Sequence, residues 1–220
     1  ISGSSTLMPR GISSVEMAEL MIGCGYDAVG EVPRMRWDTA ALPPLTEDQM
    51  RRAAAGGFVE ASELFDHLRF ALGRAEVAAM DPQQRQLLER GYSALHAAGM
   101  VKSTLLGSGA AVNVGQWASE FGGVLLRTPA GRSVYASTGF SCSVTCGRVS
   151  FALGLHGPCA AYDTACSASL VASHGSVRAL QRSECDAALS AGVNMILDPA
   201  AMAGNAVAGF TSVRGRSHTF

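Results

Sequence analysis

The 220-residue sequence lacks a field of either charge: 17 Lys and Arg stand against 18 Asp and Glu, for a formal net charge of −1. Its basic residues are scattered, so it offers no electrostatic footprint to nucleic acid or anionic lipid. No nucleic-acid partner is expected. It also lacks any apolar run near the roughly 20 residues that cross a bilayer, and no charged stretch leading into an apolar one opens it. No membrane span is expected, and the chain reads as soluble. Its six cysteines (Cys24, Cys142, Cys146, Cys159, Cys166, Cys185) include no Cys-x-x-Cys pair and no regular framework. A chain of this size needs no disulfide staples, so the reading is a reducing, cytoplasmic or organellar compartment. Internal repeats and low-complexity linkers are absent as well.

What is present is material for a core: 48% of the residues are apolar and 16% charged, enough for one sizeable domain, the simplest reading. Pro33, Pro43 and Pro44 with their polar neighbours mark an irregular stretch over 32–46. Ser13 and Glu16 form a capping-box pattern, after which Met17, Leu20, Met21 and Cys24 recur at helical spacing before Gly25. Asp81 as N-cap, Pro82 at the first helical position and Gln84 as box partner start a second helix, with Leu88, Gly91, Tyr92 and Leu95 on one face before Gly99.

Small and β-branched residues over 109–117 and 187–197 suit strands buried on both faces. Over 143–155, Val144, Gly147, Phe151 and Leu155 are spaced for a helix stopped by His156, Gly157 and Pro158. Strands thus alternate with helices, which argues for an α/β fold with a mainly parallel sheet. The chain begins at Ile1 and stops at Phe220 after a polar, Gly-containing run, so both ends read as cut.

The decisive segment is Cys159-Ala160-Ala161-Tyr162-Asp163-Thr164-Ala165-Cys166-Ser167-Ala168-Ser169-Leu170, where an extended run gives way to a helix reaching about Arg182. Cys166 falls at the turn. A thiol there meets the unpaired N–H groups and positive dipole end of the helix, which favour the nucleophilic thiolate. Small neighbours (Ala165, Ser167, Ala168) leave room for a thioester. The local pattern alone fits a buried core cysteine equally well.

The run Asp163-Thr164-Ala165-Cys166-Ser167-Ala168-Ser169-Leu170 resembles the nucleophile signature of β-ketoacyl synthases, and the resemblance extends along the chain in the family's order. Arg36-Trp37-Asp38 and Gly56-Gly57-Phe58 precede Met80-Asp81-Pro82-Gln83-Gln84-Arg85, which is similar to the hallmark of modular polyketide-synthase ketosynthases. Thr138-Gly139 and the run from Gly147 to Leu155 follow, then Glu184-Cys185-Asp186 with Ala191-Gly192-Val193-Asn194, and finally Gly215-Arg216 with Thr219-Phe220. Tyr92-Ser93-Ala94-Leu95 departs from the usual Trp-Glu-Ala-Leu, and residues 3–9 are a loose version of the opening motif. Such departures bear on substrate rather than family.

The resemblance implies a thiolase-like layered α-β-α-β-α fold, of which residues 1–220 cover most of the first half, as a partial ketosynthase domain. It implies a homodimer, joined by antiparallel pairing of the strand near 159–163. It makes Cys166 the acyl-accepting nucleophile of a decarboxylative condensation with a malonyl-type extender in polyketide biosynthesis. No bound cofactor is implied; the substrates ride on the phosphopantetheine of an acyl carrier protein. The family's two catalytic histidine motifs have no counterpart among His67, His96, His156, His174 and His218. His174, eight residues past Cys166, lies about 12 Å along the helix at ~1.5 Å per residue, and reads as a packed helix residue. Cys142 and Cys146, at i and i+4, lack further ligands for a metal, and Asp163 reads as the anchor of the strand end.

Two other readings stand beside this one. A fatty-acid-type ketosynthase or thiolase relative would share the fold, but residues 80–85 favour the polyketide type. A non-catalytic scaffolding or chain-length partner would have its nucleophile replaced, whereas Cys166 is present.

Overall fold

A computed structural model describes residues 1–38, 42 and 44–217. In chain order the elements are α1 (Val15–Gly23), β1 (Gly30–Glu31), α2 (Glu47–Arg52), β2 (Ala55–Gly56), α3 (Arg74–Ala79), α4 (Pro82–Ala97), α5 (Lys102–Leu105), β3 (Ala111–Gln116), α6 (Phe121–Leu126), α7 (Ala136–Gly139), α8 (Cys142–Leu153), β4 (Cys159–Tyr162), α9 (Ala168–Gln181), β5 (Ala188–Val193) and α10 (Pro199–Val207). They fall into two compact units, one of residues 1–5 and 62–194 and the other of residues 6–61 and 195–220.

The first unit is built on a parallel sheet of order β4-β3-β5. Central β3 pairs Val112 with Cys159 on one side and with Leu189 on the other, and all six of its residues are buried. A strand covered on both faces explains why its sequence does not alternate. Its faces are nonetheless distinct, because side chains alternate along a strand. Val112 and Val114 join Leu87, Leu88, Leu95, Cys146, Val149 and Leu153 in one core cluster with α4 and α8. Ala111 instead packs with Ala179 of α9, and Asn113 donates from its amide nitrogen to Ser176 Oγ of α9 at 3.0 Å. Helix α9 therefore covers one face, and α4 with α8 the other.

Helix α4 starts as the sequence indicates, with Asp81 accepting from the Gln83 N–H at 2.7 Å, Pro82 in the first turn and Gly99 beyond the end at φ +80°. Gln84 does not close the expected box: its amide nitrogen points to the carbonyl of Thr138 at 3.2 Å and its oxygen accepts from Arg148 at 2.8 Å. Leu88, Gly91 and Leu95 are buried and Tyr92 half-buried. A Cβ on Gly91 would stand 3.0 Å from Leu189, so this glycine lets α4 approach β5 closely. Truncating the fully buried Leu88 to Ala would cost about 2–5 kcal/mol.

Helix α8 corrects the face read from sequence. The stripe that packs is Cys146, Val149 and Leu153, while Phe151 is 87% exposed. The stop lies earlier too, at Gly154 (φ +67°) rather than at residues 156–158.

The second unit encloses Trp37, Phe58 and Met202, with the Trp37 and Phe58 rings edge to face at 5.9 Å. The two family-like segments around 36–38 and 56–58 are thus core elements, and Arg36 adds a 2.6 Å bond to the carbonyl of Val59. Strand β1 pairs antiparallel with β2. The irregular stretch gives way at Thr46, whose capping box with Gln49 opens α2. At α1 the cap is Ser14, not Ser13: its extended backbone lets Oγ accept from the Met17 N–H at 3.1 Å. The expected inner face of α1 is largely outward, with Met17 42% and Leu20 65% exposed and Ala18 buried instead. Gly215 takes φ +66° and Arg216 pairs with Asp27; Pro43, His218, Thr219 and Phe220 lie outside the described residues.

Candidate active site

Strand β4 ends at Tyr162, and the next residues turn the chain back onto the sheet. Asp163 anchors the strand end, accepting from the Ala165 N–H at 3.2 Å. Ala165 sits at φ +52°, the left-handed region that costs an L-residue about 1–2 kcal/mol. A 3-10 turn (Ala165–Ser167) follows, closed by Ser167 Oγ donating to the Thr164 carbonyl at 2.9 Å. Cys166 rides on that turn and is exposed, as are Cys24 and Cys159, whereas Cys146 and Cys185 are buried. Its location matches the strand, turn and helix expected, and within this chain the thiol is exposed rather than packed in the core.

Two glycines form the seat beneath this turn. A Cβ on Gly115 of β3 would stand 2.3 Å from the Ala168 backbone, and one on Gly192 of β5 would stand 2.5 Å from Ser169 Cβ. The start of α9 therefore rests on bare backbone. The sequence pattern alone gives neither glycine this role, although glycine inside a strand signals close backbone approach. Farther along α9, Tyr162 OH donates to Asn113 Oδ1 at 3.1 Å, and the Asn113 amide continues to Ser176. Gly175 leaves the space for that phenol, since a Cβ there would lie 2.4 Å from its oxygen. Ser173 and Ser190 hydroxyls meet at 3.0 Å. These polar pairs hold α9, and the turn at its head, at one height over the sheet.

Residues 80–85 serve the scaffold. Met80 and Asp81 are fully buried; Asp81 Oδ2 accepts from Ser119 at 2.6 Å, and its N–H donates to the Gly139 carbonyl at 2.7 Å. Burial pushes the Asp81 carboxyl up from its usual range, against the opposing pull of Ser119, Gln83 and Arg85. Arg85 bonds the carbonyls of Met80 and Glu63 at 3.0 and 3.2 Å. Arg148 joins Gln84 to Glu76. Gly139 of the Thr138-Gly139 pair admits no Cβ, which would fall on the Ala79 carbonyl.

Among the described residues, none of His67, His96, His156 and His174 hydrogen-bonds to Cys166; His67 Nδ1 meets the Leu72 carbonyl at 2.7 Å, and His156 is an exposed turn residue whose N–H donates to Ser108. His174, which the sequence reading packs inward, is exposed, because α9 turns Ala172 and Ser176 to the sheet instead. Burial, then Asp163, raises the Cys142 thiol, and burial with contact from Cys159 pushes Cys146 up to about 12. Among the described residues no three His, Cys, Asp or Glu side chains cluster as metal ligands, and no helix is long and apolar enough to cross a membrane.

Residues 1–220 match the family model of the β-ketoacyl synthase N-terminal domain. The chain is 38% identical over its whole length to a phenolphthiocerol/phthiocerol polyketide synthase of Mycobacterium tuberculosis, of which it spans 14%. It is 38% identical to a pikromycin polyketide synthase component of Streptomyces venezuelae, with 90% of this chain and 5% of that protein covered. Among solved structures, an oxazolomycin ketosynthase domain of Streptomyces albus superposes with a TM-score of 0.87 at 30% identity, covering 98% of this chain and 38% of the other. The ketosynthase of module 6 of the Bacillus subtilis bacillaene synthase gives 0.79 at 30%, covering 94% and 33%. With its helix-flanked parallel sheet and its cysteine turn in the family's order, the chain belongs to the β-ketoacyl synthase family, matching the N-terminal domain of ketosynthases of the modular polyketide-synthase type, with a thiolase-like fold.

Proposed function

We propose that this chain carries the acyl-accepting nucleophile of a polyketide ketosynthase, and that Cys166 is that nucleophile. The observation that carries the reading is the exposed thiol on a strained turn, seated on Gly115 and Gly192 at the head of α9. The Cys166 thiolate attacks the thioester carbonyl of an acyl group borne on the phosphopantetheine of an acyl carrier protein. The Cys166 N–H, at the helix start, is one donor to the oxyanion; the intermediate collapses, the carrier thiolate leaves, and the acyl chain rests on sulfur. A malonyl-type unit on a carrier then loses carbon dioxide, its enolate attacks the acyl carbonyl, and the Cys166 thiolate leaves with the β-ketoacyl product on the carrier.

The second oxyanion donor and the two histidines that stabilise the enolate come, in this reading, from sequence outside residues 1–220. The chain spans about a third of the ketosynthase chains it superposes on, and the activity belongs to the larger domain. That domain acts as a homodimer in a reducing cytoplasm. Strand β4 is an edge of its sheet, and antiparallel pairing with a second copy would satisfy its open backbone groups. Full-length protein with acyl and malonyl carrier thioesters should form a β-ketoacyl product, and Cys166→Ala should form none. Undiminished condensation by Cys166→Ala would refute the assignment.

A further inference from the structure

We propose that Tyr162, Asn113 and Ser176 form a positioning relay for acyl transfer, one that fixes where along β3 helix α9 comes to rest and so where the Cys166 thiol stands, a role that rests on Cys166 being the acyl acceptor. Side chains alternate along β3, so Ala111, Asn113 and Gly115 all face α9. Ala111 packs with Ala179, the Asn113 amide nitrogen donates to Ser176 Oγ at 3.0 Å, and a Cβ on Gly115 would fall on the backbone of Ala168. From β4, the Tyr162 OH donates to Asn113 Oδ1 at 3.1 Å. The relay therefore joins the strand that ends just before the Cys166 turn to the helix that begins just after it, by way of central β3.

Several residues here are choices that their own elements disfavour. Asn is depleted in strands, yet Asn113 is 3% exposed in one. Gly in a helix interior lowers stability relative to Ala, yet Gly175 lies inside α9, where a Cβ would stand 2.4 Å from the Tyr162 oxygen and 3.4 Å from Asn113 Oδ1. Ser176 puts a hydroxyl on the buried face that α9 otherwise fills with Ala168, Ala172 and Ala179. Apolar groups of the same shape would fill this space at little cost in stability, so local rules broken together around one phenol oxygen point to function rather than to packing. What the relay supplies follows from the seat beneath α9. Gly115 and Gly192 let the helix come close, but bare backbone has no side chain to interlock, so it limits the approach without stopping a slide along the strand. Directional hydrogen bonds stop the slide, and buried ones are strengthened by the low dielectric around them; the Ser173–Ser190 pair, by contrast, is exposed. A slide of α9 carries the Cys166 sulfur and N–H away from the thioester carbonyl, and a misplacement of about 1 Å costs on the order of a hundredfold in rate.

The test compares two reactions of Cys166 in full-length protein, each read by peptide mapping: single-turnover acylation by an acyl-N-acetylcysteamine thioester, which needs the sulfur in its attack position, and alkylation by iodoacetamide, which needs only an accessible thiol. Tyr162→Phe keeps the ring and removes the oxygen; Gly175→Ala keeps the oxygen and pushes it from its place. In each variant the acylation rate at saturating thioester should fall by about tenfold or more, while the half-saturating concentration and the alkylation rate stay within about twofold of wild type. The double variant should fall no further than either single one, because the two changes break one relay. Thermal melting identifies the variants that fold, and Tyr162→Phe, at a half-buried position, serves if Gly175→Ala does not. An unchanged ratio of acylation to alkylation in folded Tyr162→Phe, a parallel fall in both reactions, or additive losses in the double variant would overturn the relay while leaving Cys166 as the acceptor. Wild type that takes no acyl group on Cys166 would overturn the acceptor assignment, and the relay with it.

Discussion

Residues 80–85 and 163–168 bear the two most family-like runs of the sequence, and they are opposites in the structure. In the first run Asp81, Gln84 and Arg85 bond to neighbouring segments and five of the six residues are buried. In the second, only Ala168 is buried, the backbone is strained at Ala165, and the thiol faces outward. A strong motif therefore marks constraint without saying which kind. Buried polar groups that satisfy one another fix a scaffold, while a strained turn held from below presents a reactive atom.

Filling the seat beneath the turn breaks this contrast most severely. Gly115→Val places side-chain atoms on the Ala168 backbone, which has nowhere to move between β3 and α9; overpacking of this kind should cost about 3 kcal/mol. Thermal melting should register the loss, and Cys166 acylation should fall with it. A Gly115→Val protein that melts and acylates like wild type would mean that α9 does not rest on β3.

The scaffold run should yield a smaller effect. Asp81→Ala removes the cap of α4 and the acceptor for Ser119, and should cost about 2 kcal/mol, measured by denaturant unfolding. The same residue has a pH signature. Its folded-state pKa is raised, above all by burial, so its contribution to stability is fully present below the usual 3.8 and is lost as pH rises through the folded value. Wild type should therefore gain on Asp81→Asn as pH falls through that window; a difference independent of pH would contradict the burial argument.

The smallest effect belongs to the turn. Ala165→Gly relieves the left-handed strain at φ +52° but frees the unfolded chain, and should raise stability by less than about 1 kcal/mol. If strain helps to hold the thiol in place, the rate of acylation should drop even though the protein is no less stable. Equal rates would remove strain from the account.

Much of this is legible in local signals. Asp81, Pro82 and Gly99 bracket α4 because capping chemistry is local, and the extended run before Cys166 followed by small helix-forming residues locates the turn. What escapes depends on distant partners. Val144, Gly147 and Phe151 make as regular a stripe as Cys146, Val149 and Leu153, and only the core cluster with α4 and β3 selects the second. Ser13 and Ser14 are equally good caps until the backbone chooses. His174 and Ala172 lie on one helix, and the sheet decides which turns inward. Gly115 and Gly192 matter only because residues over fifty and over twenty positions away in sequence rest on them.

The proposed function requires the outward thiol of residues 163–168 to be the acyl acceptor. Intact-mass analysis with peptide mapping, after brief exposure of full-length wild type and Cys166→Ala to an acyl thioester, tests it most directly. One acyl group should appear on the wild-type peptide at Cys166 and none on the variant; equal labelling of both, or an acyl group on Cys24 or Cys159 in its place, would contradict it.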